Sequence, residues 1–311
     1  MRNISLPGTS WEVPAIIAGM MRIDQMSDPD IQAMTEAAID TGITFFDHAA
    51  IYGGDHLCER RWAEAMKFTP AQREELIIQT KAGIRSDPFV TFDFSVEEIT
   101  TSVEASLKAL RTDYIDVLLL HRPDPLWQPD QIAACFELLW RQGKVRHFGV
   151  SNFNPGQTAL LAHHLDLPIL FNQLQLSITE CPMIAQPFVT NMMGPDQAIN
   201  RGADLLEYHW LNGVTIQAWS PFQAGFFTGS FIGDRDNFGP LNDVLDRLAD
   251  EYGVEPITIA TAWILRHPAQ MQVVLGTTKP TRIRAAAAAA DIQLTHDQWY
   301  ELFLAAGNQL P

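Results

Sequence analysis

Several protein classes are excluded by what this sequence lacks. It has only three cysteines, Cys58, Cys135 and Cys181, odd in number and far apart. Neither a disulfide framework nor a Cys-x-x-Cys metal site can be drawn from them, so no metal site is expected. A reducing compartment, the cytoplasm, is the simpler expectation. Positive charge is scarce, with 21 Lys and Arg against 37 Asp and Glu, a net charge of -16. A field of that sign disfavours nucleic acid and anionic membrane surfaces and favours solubility. It leaves room for a phosphate held by a local cluster of cations. No uncharged apolar run reaches the roughly 18 residues that suggest a membrane span. The opening stretch MRNISLPGTSWE lacks a basic segment followed by an apolar one, so it does not read as a secretory signal. No Gly-x-Gly-x-x-Gly follows the first strand candidate, which argues against a Rossmann-type nucleotide site.

What is present is a regular alternation. The chain has 311 residues, of which 47% are hydrophobic and 19% charged, as expected of a folded globular protein. Single α/β barrels run to about 250 residues with insertions, so one domain over residues 1–311 fits. Strand candidates are 15–18, 43–46, 76–79, 115–120, 146–150, 169–172, 214–219 and 272–275. Helical patterns follow each, at 30–41, 56–68, 95–110, 131–142, 155–163, 197–211, 241–252 with 257–266, and 280–290. Ser95 and Glu98 are spaced as a capping box. The six alanines from Ala285 to Ala290 suggest a helix packed closely on a neighbour. A further helix, 299–306, follows. Short continuous apolar strands alternating with helices argue for a parallel sheet covered on both faces. Eight units favour closure into a (β/α)8 TIM barrel with an extra C-terminal helix; an open doubly wound sheet is the alternative the pattern leaves.

In such barrels chemistry collects at the C-terminal ends of the strands. The polar residues there are Asp47 and Tyr52 after strand two, Lys81 after strand three and His121 after strand four. Strand five ends in Ser151 and Asn152, strand six in Asn172 and Gln173, strand seven in Ser220. Singly each has a bland reading: a surface lysine, a helix-capping aspartate, a histidine bonded at the barrel rim. Together they place four competent groups on one rim. A tyrosine hydroxyl near pKa 10 is a poor acid at neutral pH. A neighbouring ammonium lowers that value, and Lys81, held by Asp47, can supply it. His121 can then orient a substrate oxygen. Such a set delivers a proton to a carbonyl oxygen as it gains charge. The side chains offer no redox metal site, so the electrons call for a hydride cofactor. GTTKPTRIR, Gly276 to Arg284, joins small residues to three cations at a strand-to-helix junction. That arrangement suits phosphate, and Lys279 with Arg282 suits a 2′-phosphate, favouring NADPH over NADH.

These segments resemble the aldo-keto reductase family, and within it a bacterial oxidoreductase branch. The resemblance rests on FFDHAAIYGG (45–54), IIQTKAG (77–83), DVLLLHRPDP (116–125), VRHFGVSNF (145–153), NQLQ (172–175), AWSPF (218–222) and VLGTTKPTRI (274–283). It spans about Leu6 to Leu304. It implies NADPH-dependent reduction of aldehydes or ketones, with Tyr52 as general acid, Lys81 and Asp47 tuning it, and His121 orienting substrate. It implies nicotinamide contacts from Ser151, Asn152 and Gln173, with Trp219 where the family often stacks a tyrosine. Ser220 and Phe222 would meet the pyrophosphate; Gly276, Thr277, Thr278, Lys279 and Arg282 the adenosine phosphate. Two departures stand out. Ala285 and Ala286 replace the Glu-Asn pair that the family commonly sets against adenine. His48 replaces the threonine of the family's DTA motif, and a supporting role behind the site is expected for it.

Pocket-wall candidates are Met20, Met21, Ile51, Trp127 and Phe226, with Arg122 and Asp124 placed to read a polar substrate. A family-like monomer acting on a small carbonyl compound is expected. Two alternatives remain: a nucleotide-binding regulatory subunit of the same fold, and a different barrel enzyme such as a metal-dependent hydrolase or a Lys81 aldolase. The intact Asp47, Tyr52, Lys81 and His121 set argues against the first. The lack of a His-x-His pair after the first strand argues against the hydrolase.

Overall fold

The computed structural model describes residues 1–202, 204–226 and 228–311. Eight parallel strands close on one another. In chain order they are β1 Ile16–Gly19, β2 Phe45–Asp47, β3 Ile77–Ala82, β4 Ile115–Leu120, β5 Val145–Ser151, β6 Ile169–Gln175, β7 Thr215–Trp219 and β8 Gln272–Leu275. β8 pairs back on β1 through Val273 with Ile16 and Leu275 with Ala18, completing a TIM barrel and ruling out an open sheet. The reason lies in composition. β4 reads IDVLLL and is buried at all six positions, which only a strand covered on both faces allows. Phe45 and Phe46 point to opposite faces of β2 and both are fully buried. Each contributes about 1.5–3 kcal/mol of apolar transfer. Gly19 ends β1 against the next strand, where a Cβ would stand 2.6 Å from the Leu275 carbonyl oxygen.

The helices α1 Asp28–Asp40, α2 Leu57–Met66, α3 Val96–Leu110, α4 Pro129–Arg141, α5 Pro155–His164, α6 Leu205–Leu211, α7 Arg235–Tyr252, α8 Pro256–Leu265, α9 Pro280–Ala287 and α10 His296–Ala305 surround the barrel. Two begin where a side-chain cap and a proline coincide, α1 at Ser27 with Pro29 and α5 at Asn154 with Pro155. The alanine run packs as expected: Ala286, Ala287 and Ala289 are buried, and the Thr258 hydroxyl of α8 donates to the Ala285 carbonyl at 2.7 Å. The extra helix docks through two stacked indoles, Trp263 and Trp299, centroids 4.8 Å apart, each donating its N–H to the other's carbonyl.

Some expectations need correction. The Ser95 hydroxyl caps the Glu98 N–H, but the Ser95 N–H is taken by Asp93 Oδ1, so the capping box is half formed. Residues 197–211 hold a helix as expected, but only over Leu205–Leu211: a 3-10 turn Asp196–Ala198 is separated from it by a turn in which Asn200 accepts from the Gly202 N–H at positive φ. α7 begins at Arg235 and kinks at Phe238, ahead of Pro240. An antiparallel pair, Asn3–Ser5 with Glu12–Pro14, precedes the barrel and adds two strands to the eight expected. Among the described residues no helix is long and apolar enough to cross a membrane, and no cluster of His, Cys, Asp or Glu is placed to hold a metal ion.

Candidate active site

A cavity of about 1160 Å³ opens at the C-terminal rim of the barrel. Its wall includes Asp47, Tyr52 and His121 at one end and Gly276, Thr277, Thr278, Lys279 and Arg282 at the other. Between them lie Ser151, Asn152, Gln173, Trp219, Ser220 and Phe222. All expected site residues therefore face one space except Lys81, which lies fully buried beneath it.

The catalytic end is built around Lys81. Strand β3 carries its side chain into the barrel, where its ammonium donates to both Asp47 oxygens at 2.7 Å, to the His48 carbonyl at 2.9 Å and to the Tyr52 hydroxyl at 3.0 Å. Burial works against the ammonium, but Asp47 and Tyr52 outweigh it, and its pKa moves up. The tyrosine behaves differently from expectation. Burial pushes the Tyr52 hydroxyl up more strongly than Lys81 pulls it down, so its net pKa lies above 10.0. The hydroxyl therefore keeps its proton at neutral pH. His121 meets the Tyr52 ring edge-on, centroids 5.9 Å apart. Burial, then Lys81 and Arg122, hold its pKa well below 6.5, so the imidazole is neutral at physiological pH.

His48 lies behind this set. It is fully buried against Trp62, neither ring nitrogen has a hydrogen-bond partner among the described residues, and burial lowers its pKa to about 4. It touches the site through its backbone, whose carbonyl receives Lys81.

At the end of β5 the Ser151 hydroxyl donates to the Gln173 carbonyl at 2.9 Å. Asn152, at φ 62°, donates to Ser151 Oγ and to the His121 carbonyl, and accepts from the Trp219 indole at 3.1 Å. The last of these bonds holds the Trp219 indole at the cavity wall. At the far end Lys279 is the N-cap residue of α9, Pro280 opens its first turn, and no side chain among the described residues caps it, an end suited to an anion. Arg284, the third cation of that motif, turns away to Asp40 at 3.2 Å.

Sequence reasoning misplaced some pocket residues. Met20 is buried core, and Trp127 packs against Phe94 and Phe153 outside the cavity. Asp124 is spent on the Phe94 and Leu126 N–H groups, so it is not free to read a substrate. Met21, Ile51, Phe226 and Arg122 do line the wall. Arg122 sits with its guanidinium 5.7 Å from the Trp219 ring, and among the described residues no carboxylate contributes to its electrostatics. Other lining residues were missed, among them the charged Arg22 and Glu255. Arg22 donates to the Gly276 carbonyl at 3.1 Å. Both come from loops or helix starts that carry no motif.

A buried Asp47–Lys81–Tyr52 cluster thus lies at the C-terminal rim of an eight-stranded barrel, at one end of a cavity that Lys279 and Arg282 line at the other. The chain matches the model of the Aldo/keto reductase family over residues 15–303, and it belongs to that family. Membership makes it an NADP(H)-dependent oxidoreductase. It is 36% identical to the uncharacterized oxidoreductase YcsN of Bacillus subtilis, over 95% of each chain. It is 35% identical to a 6-dehydroglucose reductase of Agrobacterium fabrum, over 100% of each. Among solved structures it resembles the thermostable aldo-keto reductase Tm1743, in complex with the inhibitor epalrestat, at 25% identity and a TM-score of 0.76, covering 98% of this chain and 100% of that one.

Proposed function

We propose that this protein reduces a small aldehyde or ketone to the alcohol with NADPH, Tyr52 giving the proton. The observation that carries this reading is the Lys81 ammonium bridging Asp47 and Tyr52 at 2.7 and 3.0 Å. The groove fits NADPH: uncapped N–H groups of α9 with Lys279 and Arg282 for the 2′-phosphate, Ser220 and Phe222 along the pyrophosphate, Trp219 for the nicotinamide face. Ser151, Asn152 and Gln173 would hold its carboxamide, and Gly276, Thr277 and Thr278 would allow close backbone approach. Glu255 offers an acceptor near adenine where Ala285 and Ala286 offer none. NADPH bound there supplies the hydride.

The side chains then do the rest. His121, neutral, orients the carbonyl oxygen toward Tyr52. As that oxygen gains negative charge, Tyr52 passes it the hydroxyl proton. The phenolate left behind faces the Lys81 ammonium, whose charge Asp47 balances. Preorganised charge of this kind lowers the barrier because it needs no rearrangement during reaction. Arg122, a partly desolvated cation with no carboxylate partner among the described residues, draws an oxygen-bearing substituent of the substrate. Met21, Ile51, Ile84 and Phe226 cover its apolar part. The sugar aldehyde in the name of the Agrobacterium relative has this character. Three free, buried cysteines suit a cytoplasmic setting.

Titration with NADPH and NADH, followed by tryptophan fluorescence, tests the cofactor assignment. Trp219 at the groove makes quenching expected. NADPH should bind at least tenfold tighter, about 1.4 kcal/mol. Binding of neither nucleotide would refute the reading.

A further inference from the structure

The barrel interior holds something that its function does not require. Barrel cores are normally filled with branched apolar residues. Here Gln79, Gln217 and Gln272 are each fully buried, and Gln173 nearly so. Four amides in that setting are costly unless every one is bonded. They are bonded to one another in a connected network centred on Gln217. Gln272 donates to the Pro14 carbonyl at the barrel floor at 2.6 Å and accepts from Gln217 at 3.1 Å. Gln217 and Gln79 exchange hydrogen bonds at 2.9 and 3.1 Å, and Gln217 also accepts from Gln173 at 3.1 Å. Gln79 and Gln173 both donate to Asp47 Oδ1, at 2.6 and 3.0 Å.

We infer that this glutamine chain positions the Asp47 carboxylate and fixes which group Gln173 turns to the cofactor. The argument is one of donors and acceptors. A carboxylate only accepts, so Gln79 and Gln173 must both present NH2 to Asp47. Their second N–H groups then need an acceptor, so Gln217 must present its oxygen. Its NH2 is thereby directed to Gln79 and Gln272, and Gln272 is left to donate to Pro14. Donation thus spreads from Gln79 and Gln173, up to Asp47 and down through Gln217 and Gln272 to the Pro14 carbonyl at the barrel floor. Gln173 has both N–H groups committed, so its Oε1 is what remains for the cavity it lines. It can accept from a carboxamide NH2 and cannot donate to the carboxamide oxygen. A flipped Gln173 would set oxygen against oxygen at Asp47. Buried networks of this kind are strong when complete, because each bond polarises the next. The chain thus acts through Asp47 and Gln173 as a positioning device. This rests on the placement of Asp47 and Gln173 given under Proposed function.

The test compares two ligands and two variants. The ligands are NADP+ and the 2′-phosphorylated ADP-ribose that lacks nicotinamide, titrated by tryptophan quenching or calorimetry. The variants are Gln79→Leu and the triple Gln79→Leu/Gln217→Leu/Gln272→Leu, which replaces the chain with an apolar core. The triple variant keeps the experiment decisive if the single one fails to fold. With the chain removed, the preference for NADP+ over the truncated nucleotide should fall at least fivefold, while the truncated nucleotide binds as before. kcat should fall with little change in KM. A triple variant that folds and keeps the wild-type preference overturns the inference, as does an equal loss for both ligands, which is what a merely structural role would give. If the wild-type protein itself shows no preference between the two, the nicotinamide placement fails, not only the glutamine chain.

Discussion

Replacing Lys81 by Met is the perturbation whose consequences are most fully fixed by the structure. The lysine side chain is 0% exposed and Asp47 is 2% exposed. Removing one partner of a buried pair leaves the other charge uncompensated and costs about 3–5 kcal/mol. Asp47 still accepts from Gln79 and Gln173, which places the expected loss near the lower end, about 3 kcal/mol. Unfolding entropy of about 2.1 cal/mol/K per residue gives about 0.65 kcal/mol/K for 311 residues, so the melting temperature should fall by about 5 °C. In the wild-type protein the Lys81 pKa is raised above 10.5, so its contribution to stability is present at lower pH and is lost only as pH rises past that value. The assay is thermal or urea unfolding of both proteins between about pH 5 and 8, together with Asp47→Asn/Lys81→Met, which removes both charges. The double variant should recover about 2 kcal/mol relative to additivity. A shift below about 1 °C, or no recovery in the double variant, would refute the reasoning.

Other outcomes follow from the same geometry. Lys279→Met and Arg282→Met should each weaken NADPH binding about 10- to 100-fold, the worth of a charge-assisted bond of about 1.5–3 kcal/mol, and leave NADH binding nearly unchanged; equal losses for both would contradict the 2′-phosphate assignment. Arg122→Met should raise KM for hydroxylated or carboxylated aldehydes about tenfold or more without doing so for benzaldehyde, measured by steady-state NADPH oxidation. With His121 held well below 6.5 and Tyr52 above 10.0, the rate of reduction should be nearly flat from about pH 7 to 9 and fall on the alkaline side as Tyr52 loses its proton. A pH–rate profile with its descending limb near neutrality would count against Tyr52 as the acid.

The parts of this protein that follow from local pattern are readable in the sequence. The apolar runs that form β4 and β8 fall on the same residues in the structure, because burial on both faces leaves no other reading of them. Polar strand ends are legible for the same reason: Asp47, Lys81 and His121 stand where an apolar run stops. What is not legible depends on distant partners. Nothing local marks the N-terminal antiparallel pair, whose three-residue strands are too short to carry a periodicity. Asp124 reads as a free rim acid until the Phe94 and Leu126 N–H groups are seen beside it. The direction of the Tyr52 shift escapes the sequence, which shows the neighbouring lysine but not the burial that outweighs it. Gln79, Gln217 and Gln272 lie far apart in sequence and become a chain only once the barrel closes.

The most direct test of the account is NADPH oxidation with a panel of small aldehydes by the wild-type protein and by Tyr52→Phe, alongside NADPH binding by each. The account predicts turnover by the wild type, a loss of at least about 100-fold in the variant, and equal NADPH affinity in both. A wild-type protein that binds NADPH tightly yet turns over no carbonyl substrate would contradict it and favour a regulatory nucleotide-binding role, and a variant that keeps its rate would remove Tyr52 from the chemistry.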